Sequence, residues 1–272
     1  MNTFLKAAIQ AAKAAGQIHK RTYGRVRKIQ YKSKNKLNLV TEVDKQSEKT
    51  IFSILKRRFP THNFWGEESG RGSIVSNYTW LIDPLDGTTN YAHSYPFFCV
   101  SIALLKEGLP VVAVIYDALR DECFTAQKER GAFLNGKKIR VSNISALNES
   151  LVCTGFAYGV LKTRYNFENF QRFVLKSQGV RRDGSAALNL AYVASGRFDG
   201  FWERGIQAWD MAAGVLLVLE AGGLVTDING KPFDLHAENA LASNGKIHRT
   251  MFQILKKGKD EKSWNSKVKK KK

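Results

Sequence analysis

Trp80-Leu81-Ile82-Asp83-Pro84-Leu85-Asp86-Gly87-Thr88-Thr89-Asn90 is the stretch on which the reading of the chain turns. An apolar strand ends at Asp83, Pro84 fixes the chain direction, and Gly87 gives the backbone room to turn. Asp83 and Asp86 then converge while the Leu85 carbonyl is left free. That donor set suits a hard cation, since Mg2+ takes oxygen ligands at about 2.0–2.1 Å, keeps several waters and completes its shell with a substrate phosphate. The same Asp-Pro-x-Asp-Gly pattern also serves as a plain turn. Two more segments place acids where strands stop and turns begin: Trp65-Gly66-Glu67-Glu68-Ser69 and Trp209-Asp210-Met211-Ala212-Ala213-Gly214. Taken singly, the first reads as a charged turn and Asp210 as the N-cap of an apolar helix.

Upstream, Phe4, Leu5, Ala8, Ile9, Ala12, Ala15 and Ile18 recur at helical spacing, so Asn2 to Ile18 reads as an amphipathic helix that stops by Gly24. The same acid-free segment also resembles a transit peptide. Thr41-Glu42-Val43-Asp44 reads as the capped start of a second helix limited by Pro60, so two helices precede the first strand signal. From Trp80 the texture is short β runs: Trp80 to Ile82, Phe97 to Leu105, Val111 to Tyr116, Glu122 to Ala126 and Lys138 to Val141, with tight turns that argue for antiparallel pairing. After Ser150 it alternates: strand Leu151 to Thr154, helices near Thr163 to Ser177 and Ser185 to Ala194, strand Gly200 to Trp202, helix Asp210 to Ala221, then strands Gly223 to Thr226 and Ala240 to Ala242. The expectation is an α/β protein with an α+β N-terminal half over 1–145 that binds metal and an α/β C-terminal half over 146–255 that binds substrate.

The 272 residues are 43 % hydrophobic, which excludes a disordered chain, a disulfide-stapled mini-protein and a fibrous repeat. No apolar run reaches a membrane span, and Lys6 and Lys13 interrupt the first apolar segment where a signal peptide would be continuous, so a cytoplasmic protein is expected. Cys99, Cys123 and Cys153 sit in apolar runs as reduced core thiols, and no HxxxH or CxxC pair suggests zinc. Residues 1–41 hold ten Lys/Arg and no acid, and residues 256–272 hold nine Lys against Asp260 and Glu261. The ends thus carry nearly all of the net +19, and the nearly neutral body suits a small-molecule domain with cationic appendages. The Lys-rich 256–272 reads as a disordered, solvated tail.

The three acidic segments, in this order and separated by one strand-rich and one α/β block, resemble the inositol monophosphatase family of Mg2+-dependent sugar-phosphate phosphatases. The likeness runs from about residue 4 to 255 and includes Leu39-Val40-Thr41-Glu42-Val43-Asp44, Gly184-Ser185-Ala186-Ala187 and Glu220-Ala221-Gly222-Gly223. After Asp-Gly-Thr, nucleotide-directed relatives carry Lys-Glu-Phe and fructose bisphosphatases Ser-Phe-Asn; Thr89-Asn90-Tyr91 is similar to the inositol monophosphatase class, with Tyr91 in place of its usual Phe. Arg181-Arg182-Asp183-Gly184-Ser185-Ala186-Ala187-Leu188 looks like the bacterial branch. The tail has no counterpart.

The resemblance implies a layered αβαβα sandwich of the sugar-phosphatase type, a homodimer, and two or three Mg2+ ions. Glu67, Asp83, Asp86, Asp210 and the Leu85 carbonyl match the metal-binding positions. Thr88 and Asp44 match the pair that orients the attacking water, with Glu67 beside them. Glu68 matches an outer position or a ligand of a weaker third ion, and Lys32 an outer position, matched more loosely because the loop Lys32 to Lys36 has one extra residue. The Gly87 and Thr88 amides, at an expected helix N-terminus, match the phosphate cradle, where an anion is electrostatically favoured. Glu203 matches the acceptor for substrate hydroxyls, joined by Ser185 and Ala186, and Asp86 and Asp210 border the same substrate.

The chemistry implied is hydrolysis of a small polyol phosphate such as inositol 1-phosphate by metal-activated water. Phosphate monoesters hydrolyse extremely slowly unaided, and paired cations both activate water and stabilise the departing alkoxide. No Cys/Arg phosphatase loop or Asp-x-Asp-x-Thr motif provides a covalent route. The alternative is a binding role, with the basic ends engaging RNA or another polyanion in a transcription complex, with or without phosphatase activity.

Overall fold

The computed structural model describes residues 2–25, 29–31, 39–156 and 165–256. Lys32 with its loop 32–36, the expected helix start at Thr163 and all but the first residue of the Lys-rich segment lie outside them. Among the described residues no helix is long and apolar enough to cross a membrane.

Helix α1 (Thr3–Thr22) begins on Asn2, whose side chain accepts from the Phe4 and Leu5 amides, and buries Leu5, Ala8, Ala12, Ala15 and Ile18 as the spacing predicts. Helix α2 (Glu42–Arg58) begins on Thr41. Asp44 Oδ2 accepts from the Thr41 amide at 2.8 Å and Thr41 Oγ1 from the Val43 amide at 3.2 Å. A hairpin, β1 (Ile29–Tyr31) with β2 (Leu39–Thr41), lies between these helices, so they do not precede the first strand. Strands β3 (Asn63–Gly66) and β4 (Gly70–Arg71) also come before the Trp80 run. Runs of two to four residues are too short to show alternation.

The first sheet has the order β10-β9-β8-β7-β6-β5-β3-β4, built from β5 (Tyr78–Asp86), β6 (Cys99–Lys106), β7 (Leu109–Asp117), β8 (Glu122–Gln127), β9 (Gly131–Leu134) and β10 (Lys137–Lys138). Pairing is antiparallel except for β3 with β5. Both faces are covered, which is why β6 and β7 read as continuous apolar runs. Cys99, Ala103, Ala113 and Ile115 enter one core, and Val100, Ile102, Val112 and Val114 enter another with Ala8, Ala12 and Ile51 of α1 and α2. The strand expected over Lys138 to Val141 is shorter, because the Val141 amide turns to the Ala221 carbonyl at 3.2 Å and leaves the ladder.

The second sheet has the order β12-β11-β13-β15-β14, from β11 (Leu151–Thr154), β12 (Gly179–Arg181), β13 (Gly200–Arg204), β14 (Leu224–Thr226) and β15 (Asn239–Ser243). Helices α5 (Ala186–Ala194) and α6 (Ala208–Glu220) are apolar nearly all round because they lie between the two sheets. Helix α4 (Tyr165–Val174) and a final helix, α7, over 248–256 cover the outer face, where Phe173, Met251 and Leu255 meet Val152, Trp202 and Leu241. With the five-residue helix α3 (Thr88–Ala92) at the site, the layers run αβαβα, as expected. At the far end of α6, the Glu220 carboxylate accepts the amides of Glu129, Arg130 and Gly131 in the β8–β9 turn.

Gly214 of α6 faces α5, and a Cβ there would overlap the Leu190 side chain. Alanine gains about 1 kcal/mol of helix propensity, whereas forcing a methyl into a filled core costs about 1–3 kcal/mol. Gly214→Ala is expected to lower the calorimetric Tm by a few degrees, at roughly 2–4 °C per kcal/mol. A Tm above wild type would show that this contact has slack.

Candidate active site

The register of β5 against β6 slips between Asp83, opposite Ser101, and Asp86, opposite Cys99, so three steps along β5 span two along β6. This bulge carries Pro84 and Leu85 and turns both aspartates into one cleft. Asp83 Oδ1 accepts the Leu85 amide at 2.9 Å. The chain then passes through Gly87 at φ +97°, where a Cβ would come within 2.9 Å of the Phe97 carbonyl, and α3 begins at Thr88. The Leu85 carbonyl is not free as expected: Thr88 Oγ1 lies 3.0 Å from it and 3.0 Å from Asp44 Oδ1. A carbonyl has two lone pairs, so the Thr88 contact leaves one for a ligand.

Helix starts supply the other acids. Asp44 lies in the first turn of α2. Asp86 Oδ2 accepts from Ser185 Oγ at 2.6 Å and from the Ala187 amide at 2.7 Å, at the N-terminus of α5. Asp210 does not cap its helix but stands in the first turn of α6, where Oδ2 accepts the amide of Gln207, the cap residue, at 2.7 Å. Glu67 follows β3, its amide bonded to the Ile82 carbonyl at 3.1 Å. The preceding residues of two segments touch, Trp65 against Trp209 edge-on at 5.7 Å, which draws Glu67 and Asp210 to the same cleft.

That cleft encloses about 450 Å3 and is lined by Glu67, Asp83, Leu85, Asp86, Gly87, Thr88, Ser185, Ala186, Glu203 and Asp210, all singled out from the sequence. Asp44 stands behind Thr88. Glu68 is not on its wall: its amide bonds Glu48 Oε2 at 3.0 Å, and it lines a separate depression with Lys45, Lys49 and Lys56. The sequence reading missed Gly155, Phe156, Arg182, Asn189 and Gln207 on the cleft wall, and gave Trp209 no role. Of these only Arg182 carried a signal, as part of the charged run Arg181-Arg182-Asp183 just ahead of the small residues Gly184 to Ala187.

Like charges crowd this space. Burial first, then the charges of Glu67, Asp86 and Asp210, hold the Asp83 carboxyl well above the usual carboxylate range. Burial and the Asp86 charge do the same to Asp210. Asp86 is pushed up to about 6, its burial opposed by the Ser185 and Ala187 hydrogen bonds. Glu203 is pushed up to about 8 by burial and the Asp86 charge, against the pull of Arg182. Burial also raises Asp44, despite its bonds from Thr41.

Among the described residues no three Asp, Glu, His or Cys side chains form a ready-made chelate. The acids are instead spread around the cleft wall. Their chemistry still fits a hard divalent cation, being oxygen-only, four-fold acidic and mutually repulsive in a buried setting.

The profile of the Inositol monophosphatase family matches residues 1–259. The chain belongs to this family of phosphatases. It is 48% identical over 257 residues to the inositol-1-monophosphatase of Synechocystis, covering 94% of this chain and 89% of the relative. It is 43% identical over 261 residues to the Nus factor SuhB of Pseudomonas aeruginosa, covering 94% and 96%. Among solved structures, an inositol monophosphatase from Anabaena superposes with a TM-score of 0.85 at 47% identity, covering 94% of this chain and 96% of that one. The suhB protein of Bartonella henselae superposes with a TM-score of 0.90 at 41% identity, covering 94% and 100%.

The raised carboxyls fix the sign of a pH dependence. Their pKa values in the folded state lie above those of the unfolded chain, near 4, so between the two the folded state holds more protons, and its stability falls as pH rises. In chelator, the Tm of the protein is expected to decline from about pH 5 to 8, through the values of Asp86 and Glu203. Asp86→Asn is expected to reduce the decline, and millimolar Mg2+ to flatten it. A cation-free Tm that rises across this range would contradict the charge crowding.

Proposed function

We propose that this inositol monophosphatase family member is a Mg2+-dependent phosphomonoesterase acting on inositol 1-phosphate or a similar small polyol phosphate. The observation that carries the reading is one cleft with Glu67, Asp83, Asp86 and Asp210 on its wall, the Thr88–Asp44 pair at one side and Glu203 at another. Glu67, Asp83, Asp86, Asp210 and the Leu85 carbonyl would hold two or three Mg2+ ions. Bound Mg2+ would supply charge neutralisation and an acidified water near neutral pH.

The chain's own groups do the positioning. Thr88 Oγ1 shares its one hydrogen between Asp44 Oδ1 and the Leu85 carbonyl, so its own lone pairs are left as the acceptor that orients a water for in-line attack on phosphorus. Asp44 cannot turn away, because its other oxygen holds the Thr41 amide and hydroxyl. Gly87 and Thr88, at the start of α3, line the cleft, and their amides would serve as donors for phosphate oxygens. As the water oxygen bonds to phosphorus, the ester P–O bond breaks, and the proton that the water gives up balances the one with which the polyol leaves. Glu203 takes polyol hydroxyls as hydrogen-bond donors, and Ser185 and Ala186 border them.

A phosphate-release panel with and without Mg2+, over inositol 1-phosphate, glycerol 2-phosphate, AMP, 3′-phosphoadenosine 5′-phosphate and fructose 1,6-bisphosphate, tests substrate class and metal together. The reading expects Mg2+-dependent turnover with the polyol monophosphates ahead. Asp86→Asn and Asp210→Asn are each expected to abolish turnover while remaining folded, since each removes a like charge from the crowded cleft. Substantial activity of either variant at saturating Mg2+ would sink the assignment.

A second role rests on charge asymmetry, and relatives named Nus factor SuhB favour it. The basic ends would bind RNA or another polyanion, displacing condensed counterions with a log–log salt slope of about 0.7 per single-strand phosphate neutralised. Truncation after Leu255 is expected to flatten that slope and leave kcat unchanged, as titration of labelled RNA at several salt concentrations would show. Identical slopes for both chains would remove the tail from any binding role.

A further inference from the structure

Glu203 depends on a glycine for its place. A Cβ built on Gly155 would fall inside the Glu203 carboxylate, overlapping both oxygens and Cδ. Gly155 does not have a left-handed backbone, so its missing side chain is what the site uses. It follows the last residue of β11, and Glu203 is the next residue after Trp202 on β13, with Thr154 in register opposite Trp202.

One buried side chain ties these two strand ends together. Asn166, in the first turn of α4, donates through Nδ2 to the Gly155 carbonyl and accepts the Trp202 indole N–H on Oδ1 at 3.0 Å. Its Nδ2 also lies 3.4 Å from Thr154 Oγ1, and that hydroxyl donates to the Trp202 carbonyl. The Trp202 ring is stacked on Phe173 of the same helix, centroids 3.9 Å apart. Both strand ends that bracket the Glu203 carboxylate are therefore pinned to α4 through a single amide. In a packed interior such a bridge fixes a backbone to a fraction of an ångström, and recognition of hydroxyls by a carboxylate is sensitive on that scale.

We infer that Asn166 and Gly155 are positioning residues for polyol selectivity, holding the gap into which the Glu203 carboxylate projects. The inference rests on the reading of Glu203 as the acceptor for substrate hydroxyls. Neither residue contacts the phosphate side of the cleft, so disturbing them moves the polyol end relative to the acids and leaves the hydrolytic end in place.

The test compares kcat and KM for inositol 1-phosphate and for 4-nitrophenyl phosphate, which has no polyol, using the full chain at saturating Mg2+. Asn166→Ala is expected to raise KM for the inositol ester more than it lowers kcat, so that the selectivity ratio in kcat/KM falls about tenfold. Gly155→Ala is expected to do the same. Neither substitution should lower the ratio further in a Glu203→Gln background, because a shared pathway is non-additive. If Asn166→Ala does not fold, Asn166→Asp, which keeps the acceptor for the Trp202 indole and loses the donor to the Gly155 carbonyl, tests the bridge in its place beside Gly155→Ala. Glu203→Gln with an unchanged ratio would overturn the polyol-acceptor reading itself. A ratio that falls in Glu203→Gln but holds in the positioning variants, or one that falls additively in the doubles, would overturn this inference alone.

Discussion

The burial and crowding of carboxylates in one cleft is the constraint that the rest of the structure accommodates. Burial raises the pKa of Asp83, Asp86 and Asp210, the Glu67 charge adds to each, and Asp86 adds to both Asp83 and Asp210. Part of the cost is met by helix starts. Asp44, Asp86 and Asp210 each accept a backbone amide at the N-terminal end of a helix, α2, α5 and α6 respectively, where the partial positive charge of the helix is concentrated. The layer order makes this possible. Two sheets with helices between them bring several helix N-termini and the exit of β5 to one point, which neither sheet could do alone.

Long apolar periods and capping chemistry were legible in the sequence. Asn2 and Thr41 mark helix starts because the cap needs a side-chain oxygen there, and β6 and β7 are apolar enough to be read without alternation. The short strands β1 to β4 were not legible, since two to four residues carry no period. The acids Glu67, Asp83, Asp86 and Asp210 could be named because charge beside an apolar run stands out. Local pattern could not show what each acid would bond. The turn alone leaves the Leu85 carbonyl free, and only the folding back of Thr88 occupies it; Asp210 reads as a cap because Gln207 is a poor one.

Gly155 and Asn166 were invisible for another reason. Their roles lie in what they leave room for or join across the sheet, and a single chain of letters contains no distances of that kind. The same holds for the Trp65–Trp209 contact, whose members are 144 positions apart in sequence. Glu68 shows the converse: proximity in sequence to Glu67 does not bring it to the cleft, since adjacent residues beyond a strand end face different sides.

The position of α5 and α6 between the two sheets has a consequence for assembly. Most strand pairings of the first sheet join neighbours in sequence and close early, at small entropic cost. The cleft, however, draws Asp44, Glu67, Asp83 and Asp86 from one half of the chain and Ser185, Glu203 and Asp210 from the other. The like charges are therefore brought fully together only when the two halves of the chain meet. Neutralising these acids, by a proton or by a cation, would therefore favour the contact between the two halves of the chain as well as the cleft itself.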